Sequence, residues 1–167
     1  MALEYRRQQK FAYREQTHHL QEINMSKTIL ITGAGSGFGK GAAVALAARG
    51  HHVIATTETS EQASALAKEA PQLQVEKVDI TNSADIAKIS AWDIDVLINN
   101  AGYGQTGPMS DVPNDRLRKV FEVNVFGTVA ATQAALPRMS AKGSGRVIIM
   151  SSIAGVVAAP GFGPYAM

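Results

Sequence analysis

Cysteine is missing from all 167 residues. That excludes a disulfide framework and every thiolate-based zinc or redox site. It also fits a reducing compartment, so the cytoplasm is the expected location. A strong charge imbalance is missing too. Sixteen basic residues against 14 acidic ones leave a net charge of +2, and the basic residues are scattered singly, which argues against a nucleic-acid partner. No apolar run is long enough to span a bilayer. The most apolar one, Gly41 to Ala48, is short and alanine-rich, as a packed helix would be, so no membrane segment is expected. The four histidines form two adjacent pairs, His18–His19 and His51–His52. Sequence neighbours point apart on a helix or strand, so no metal site is expected. What remains, with 46% hydrophobic and 18% charged residues, is the composition of a soluble globular domain with one real core.

The first 24 residues differ from the rest: they mix charges of both signs with glutamine and have neither the apolar core of a secretory signal nor the acid-poor character of a transit peptide. They read as an extension outside the domain, which is expected over residues 25–167, and Met25 is an alternative start to Met1. From Ser26 onward short β-rich runs alternate with helical ones. Strands are predicted at about 28–32, 52–56, 74–78, 96–99 and 146–150. Helices are predicted at about 40–49, 61–69 and 83–90, with one long helix over 114–141. Such alternation implies parallel pairing with right-handed crossovers, hence a doubly wound α/β sheet of about five strands, order 3-2-1-4-5.

In a sheet of this kind ligands bind beyond the carboxyl ends of the strands. After the first strand comes TGAGSGFGKG, residues 32–41. Its glycines allow a sharp turn and close backbone approach, and the helix that follows presents unpaired N–H groups to an anion. A flexible loop is the plain alternative. A nucleotide-triphosphatase loop, suggested by Gly39 and Lys40, is disfavoured because Ala34 stands where that motif begins with Gly, and Gly41 replaces the magnesium-holding Ser or Thr. Further motifs come later in the chain: Asp79 in VDIT after the third strand, the run Asn99–Asn100–Ala101–Gly102 after the fourth, and Asn124 in VNVFGT within the long helix. Each has an ordinary structural alternative, as a turn acid, a turn and a satisfied buried amide.

Taken together and in this order, these motifs resemble the short-chain dehydrogenase/reductase family. Thr32, Gly33, Gly37 and Gly39 match its Thr-Gly-x-x-x-Gly-x-Gly spacing, and Ser152 stands 13 residues before Tyr165, the family's spacing between its active-site Ser and Tyr. The resemblance implies a Rossmann-like fold and an NAD or NADP site. That site would be made of Thr32, Gly33, Ser36, Gly37, Phe38 and Gly39, then Thr57 and Glu58, then Asp79 and Ile80, then Asn100, Ala101 and Gly102. It also implies a small alcohol or carbonyl substrate, with Tyr165 as proton donor or acceptor, Ser152 orienting the substrate oxygen and Asn124 holding a relay water. Glu58 would accept from a ribose 2′-OH and repel a 2′-phosphate, which leans the choice toward NAD.

The resemblance covers the amino-terminal part of the family fold. The family's lysine, four residues after the tyrosine, would fall two positions beyond Met167, and the last two strands and the helix that builds much of the usual dimer interface are not in the chain. A full-length parent is expected to be a homo-oligomer. Two readings of the 167 residues stand: an oxidoreductase, or a dinucleotide-binding remnant that does not turn over. Whether the ending is natural, a reading-frame artefact or a fragment stays open. Either way, the fifth strand is expected to be an uncovered edge, and the helix flank from Val125 to Leu136 is expected to lack a neighbour.

Overall fold

The computed structural model describes residues 26–157 and 159–167. The expected extension, Met1 to Asn24, therefore lies outside the described residues. Five parallel strands form one sheet in the order β3-β2-β1-β4-β5: β1 Thr28–Ile31, β2 His52–Thr57, β3 Gln74–Lys77, β4 Val96–Asn99 and β5 Arg146–Ile149. Leu30 sits in register between Ile54 and Leu97, and Leu97 pairs onward to Val147. The crossovers are α1 Gly37–Ala48, α2 Ser60–Glu69, α3 Ser83–Ile89, and a long helical passage made of α4 Asn114–Phe121, a π-helical stretch Glu122–Gly127 and α5 Thr128–Ala141. A 3-10 turn, Ile153–Gly155, and a short helix α6, Gly163–Ala166, close the chain. No described helix is long and apolar enough to cross a membrane.

Period-two alternation divides the strands between two cores. Leu30, Ile54, Leu97 and Val78 pack with Ile89, Ala131, Ala135 and Met139 on one face. Ile29, Ile31, Val53 and Ala55 pack with Ala43, Leu66 and Leu73 on the other. Burying each large aliphatic side chain in this way contributes about 1.5–3 kcal/mol. At α2, Thr59 Oγ1 accepts from Gln62 N and Gln62 Oε1 accepts from Thr59 N, both at 3.3 Å, a reciprocal cap. Asn82 Oδ1 likewise accepts from Ala84 N at 2.9 Å and Asp85 N at 3.2 Å to start α3.

Most element ends fall within a residue of expectation, and three departures bear on the site. Helix α1 begins at Gly37, not Lys40, and Gly37 enters it with a φ of +55°, a turn conformation that glycine adopts readily. The long helix is interrupted: residues 122–127 widen to π-helix around Asn124, a local change that periodicity does not report. Finally, β2 runs one residue further, so Thr57 is its buried last residue and Glu58 is the first to leave the sheet. The expected open flank is present: Val125, Phe126, Val129 and Leu136 are exposed, as are Ile148 and Ile149 of the edge strand β5.

Candidate functional site

At the carboxyl ends of β1, β3 and β4 the turns enclose a cleft of about 310 Å³. Gly33, Gly35 and Ser36 form one wall, Glu58 and Gln62 a rim, Val78, Asp79 and Ile80 the second wall, Asn100 to Tyr103 the floor, and Lys119 and Val123 the side contributed by the long helix. The cleft is held open by bonds between its own turns. Thr32 Oγ1 accepts from both Asn100 N and Ala101 N at 3.1 Å. Asn100 Nδ2 donates to Thr32 O and to Gly33 O, each at 3.0 Å. Two glycines are required by this closeness. A Cβ at Gly33, where φ is +66°, would stand 2.6 Å from Ala101 Cα, and one at Gly39 would stand 2.3 Å from Asn100 Nδ2. Thr32 and Gly39 therefore act from behind the cleft, by clamping the glycine turn to the Asn-Asn-Ala-Gly turn.

The second wall is set by a buried acid that sequence reasoning passed over. Asp85, whose side chain is only 9% exposed, pairs with Lys77 and with Lys88 at 2.8 Å, and it accepts from Asp79 N at 3.0 Å. The Lys77 ammonium, then Lys88, then the Asp79 amide hold its carboxyl below the usual carboxylate range. Asp79 itself spends Oδ1 on Thr81, accepting from its N at 2.9 Å and its Oγ1 at 2.7 Å, so the wall is a tight turn with little freedom. Gly127 in the π-helical stretch lets Ile80 approach: a Cβ there would fall 2.8 Å from the Ile80 side chain.

Helix α1 meets the cleft differently from α2 and α3. Its N-cap, Ser36, makes no side-chain cap and there is no acid in the first turn, so its leading N–H groups are left for an anion. Lys40 is drawn away, with Nζ on Glu69 at 2.6 Å, and it is not among the residues lining the cleft. That placement leaves the triphosphatase alternative without its lysine. The residues present fit a dinucleotide: an uncapped helix end for the pyrophosphate, with apolar lining from Val78, Ile80 and Val123 in the same cleft for a base.

Of the residues expected at the cofactor, Gly33, Ser36, Glu58, Asp79, Ile80, Asn100, Ala101 and Gly102 meet around the cleft. Thr32, Gly37, Phe38, Gly39 and Thr57 do not line it. Phe38 is 85% exposed, and the Thr57 hydroxyl donates to Thr59 O at 3.0 Å. Gly35, Gln62, Val78, Tyr103, Lys119 and Val123 also line the cleft and were not among the expected cofactor residues. Lys119 and Val123 are four apart, one helical turn, and their spacing before Asn124 is the only signal the sequence held for them.

The three residues expected in catalysis lie on different elements. Asn124 grips the loop after β4, its Oδ1 accepting from Tyr103 N at 2.7 Å and its Nδ2 donating to Tyr103 O at 3.0 Å. Ser152 caps the 3-10 turn, accepting from Ala154 N at 3.2 Å, and that turn packs against α6, which carries the half-buried Tyr165. The loop over Gly102–Met109 is tied to the same region by Gly107 N on Gly161 O at 2.8 Å. His51 and His52 serve as hydrogen-bonding partners, of Lys27 N and of the Gln74 side chain.

Comparison with known proteins agrees with this architecture. The family model described as short chain dehydrogenase matches residues 27–167. An uncharacterized oxidoreductase of Bacillus subtilis, YusZ, is 38% identical over 150 residues, which are 83% of this chain and 53% of that protein. A closed serine dehydrogenase complexed with NADP+ superposes with a TM-score of 0.77 at 31% identity, covering 83% of this chain and 59% of the other. A 7 alpha-hydroxysteroid dehydrogenase complexed with NADH and 7-oxo glycochenodeoxycholic acid gives 0.76 at 29% identity, covering 86% and 60%. The chain thus spans about half the length of the curated relative. The family match takes in every strand of the sheet and every turn around the cleft, and the chain belongs to the family of short-chain dehydrogenases.

Proposed function

We propose that the cleft binds NAD or NADP, and that the chain serves an oxidoreductase that interconverts an alcohol and a carbonyl on a small molecule. The observation that carries this reading is the uncapped N-terminus of α1, opening onto a cleft walled by Asp79, Ile80 and Asn100 to Gly102. The nicotinamide, when bound, supplies the acceptor or donor of hydride. The chain's own residues do the rest. The first-turn N–H groups of α1 hold the phosphates, and Asp79 and Ile80 receive the adenosine end. Glu58, the first residue beyond β2, favours NAD because it would accept from a 2′-OH and repel a 2′-phosphate.

In the transfer itself Tyr165 gives or takes the proton. A phenol with its ordinary pKa near 10 needs a neighbouring cation for that task at neutral pH. Ser152 polarises the substrate oxygen: its Oγ already accepts from Ala154 N, so its own hydrogen is left to donate. Asn124 fixes the loop first, and the remaining lone pair of its carbonyl is what it offers a relay water.

Binding and turnover are separate tests. For binding, the melting temperature of the chain is followed with NAD and with NADP. Saturation at a hundred times Kd stabilises a fold by about 2.7 kcal/mol, and NAD is expected to act at the lower concentration. A folded sample that shifts with neither cofactor would refute the reading. For turnover, Tyr165→Phe in a form of the protein that oxidises secondary alcohols should lower the rate by about 10² to 10⁴.

A further inference from the structure

The residues lining the cleft carry two carboxylates, Glu58 and Asp79, and one ammonium, Lys119. An acidic lining of this kind is a poor place for a ligand that brings phosphates, unless its single cation is used against them. Lys40, the other lysine near the glycine turn, is committed to Glu69. Lys119 makes no ion pair among the described residues. Its Nζ rests over the ring of Tyr103, 4.8 Å from the centroid, a contact that costs little to leave or to share.

The platform under it is unusually well fixed. Tyr103 has its N–H and its carbonyl on the two ends of the Asn124 amide, at 2.7 and 3.0 Å. Its hydroxyl donates to Gln105 Oε1 at 3.3 Å and accepts from Arg116 Nη1 at 3.2 Å. Arg116 and Lys119 are three apart on α4 and so share one face, which brings both onto the same ring. A lysine stem otherwise samples many rotamers. Here the ring favours rotamers that keep the ammonium on the cleft wall, which lowers the entropy lost when a ligand arrives.

We propose that Lys119 is the counter-cation of the cleft: it selects a nucleotide with phosphate charge over the uncharged nucleoside, with Tyr103 holding it in place. This rests on the dinucleotide reading above and names a residue and a selectivity that the reading does not contain.

The test uses the whole chain, titrated calorimetrically with adenosine, ADP and NAD at low and at high salt. Lys119→Met keeps an unbranched apolar stem but removes the charge, and with it the ammonium contact to the Tyr103 ring, and Lys119→Arg restores both. Lys119→Met is expected to weaken NAD and ADP by about 5- to 10-fold at low salt and to leave adenosine within about 2-fold, with the gap closing as salt rises. Lys119→Arg should return most of the loss. Equal loss for adenosine and NAD would make Lys119 a packing residue and overturn the proposal, as would a Met variant that binds NAD like the parent while the parent binds well. A folded parent that binds no nucleotide would overturn the dinucleotide reading itself and this assignment with it.

Discussion

In β1, Ile29, Leu30 and Ile31 are all buried, with Leu30 and Ile31 at 0% exposure, whereas in β5 Ile148 and Ile149 stand at 38% and 61%. The two segments, TILI and RVII, each end in a run of three aliphatic residues. The difference is position. β1 lies in the middle of the sheet with a helix layer on each face, and β5 is the last strand in the order. The same contrast runs through the polar groups. The turns beyond β1 and β4 clamp one another by four hydrogen bonds. The region after β5 is held by its own short turns and by the tie from Gly107. An apolar strand therefore reports that it wants burial; only the sheet order decides whether it gets it.

The contrast can be broken most severely in the centre. Leu30→Ala should cost about 2–5 kcal/mol, because a cavity would open against Ile54 and Leu97, while Ile149→Ala on the open edge should cost under about 1 kcal/mol. Urea unfolding of the two variants measures the difference, and equal losses would mean that the β5 face is covered in solution.

Two glycines of one helix sharpen the comparison further. Gly39→Ala places a Cβ 2.6 Å from Gly33 O as well as against Asn100, so it should destabilise by about 1–3 kcal/mol and weaken nucleotide binding. Gly41, two residues on, has nothing within 4 Å of a built Cβ, and Gly41→Ala should instead stabilise by up to about 1 kcal/mol through helix propensity. Opposite signs in thermal melts are expected. The same sign in both would mean that the clamp between the two turns is not tight.

The smallest of these effects is a pH dependence. Because Asp85 is held below the usual carboxylate range by Lys77, Lys88 and the Asp79 amide, the stability it adds is complete above the unfolded carboxyl's value of about 3.9. That stability is lost as the pH falls from there toward the depressed folded value. Asp85→Asn should therefore melt below the parent at pH 7, and the gap should narrow by pH 3. A gap that stays constant across that range would show that the charge on Asp85 is not what holds the wall.

All five strands were legible to within a residue, since β-branched runs between turn residues leave few alternatives. Helix α2 was nearly so, expected over about 61–69 and found over Ser60–Glu69; its capping box of Thr59 and Gln62 went unread. Of the cleft's lining, the glycine turn, Asp79 and the run from Asn100 to Gly102 were legible, because each follows a strand of the sheet. Lys119 and Tyr103 were not legible. A lysine on a charged helix and a tyrosine in a loop are both ordinary surface residues until the fold sets one over the other. Asp85 was hidden for the same reason: a carboxylate near a helix start reads as a first-turn acid, and its burial beneath two lysines depends on β3 and α3 being adjacent.

By itself, then, the sequence determined the alternation of strands and helices, the parallel sheet they imply and the identity of the turns at its carboxyl edge, because those follow from local conformational preference and hydrophobic period. The tertiary structure decided which of two similar strands is buried, where the long helix opens around Asn124, and which charges face one another across the cleft. These depend on distances between segments far apart in the chain. No local pattern encodes such distances until close packing has brought the segments together.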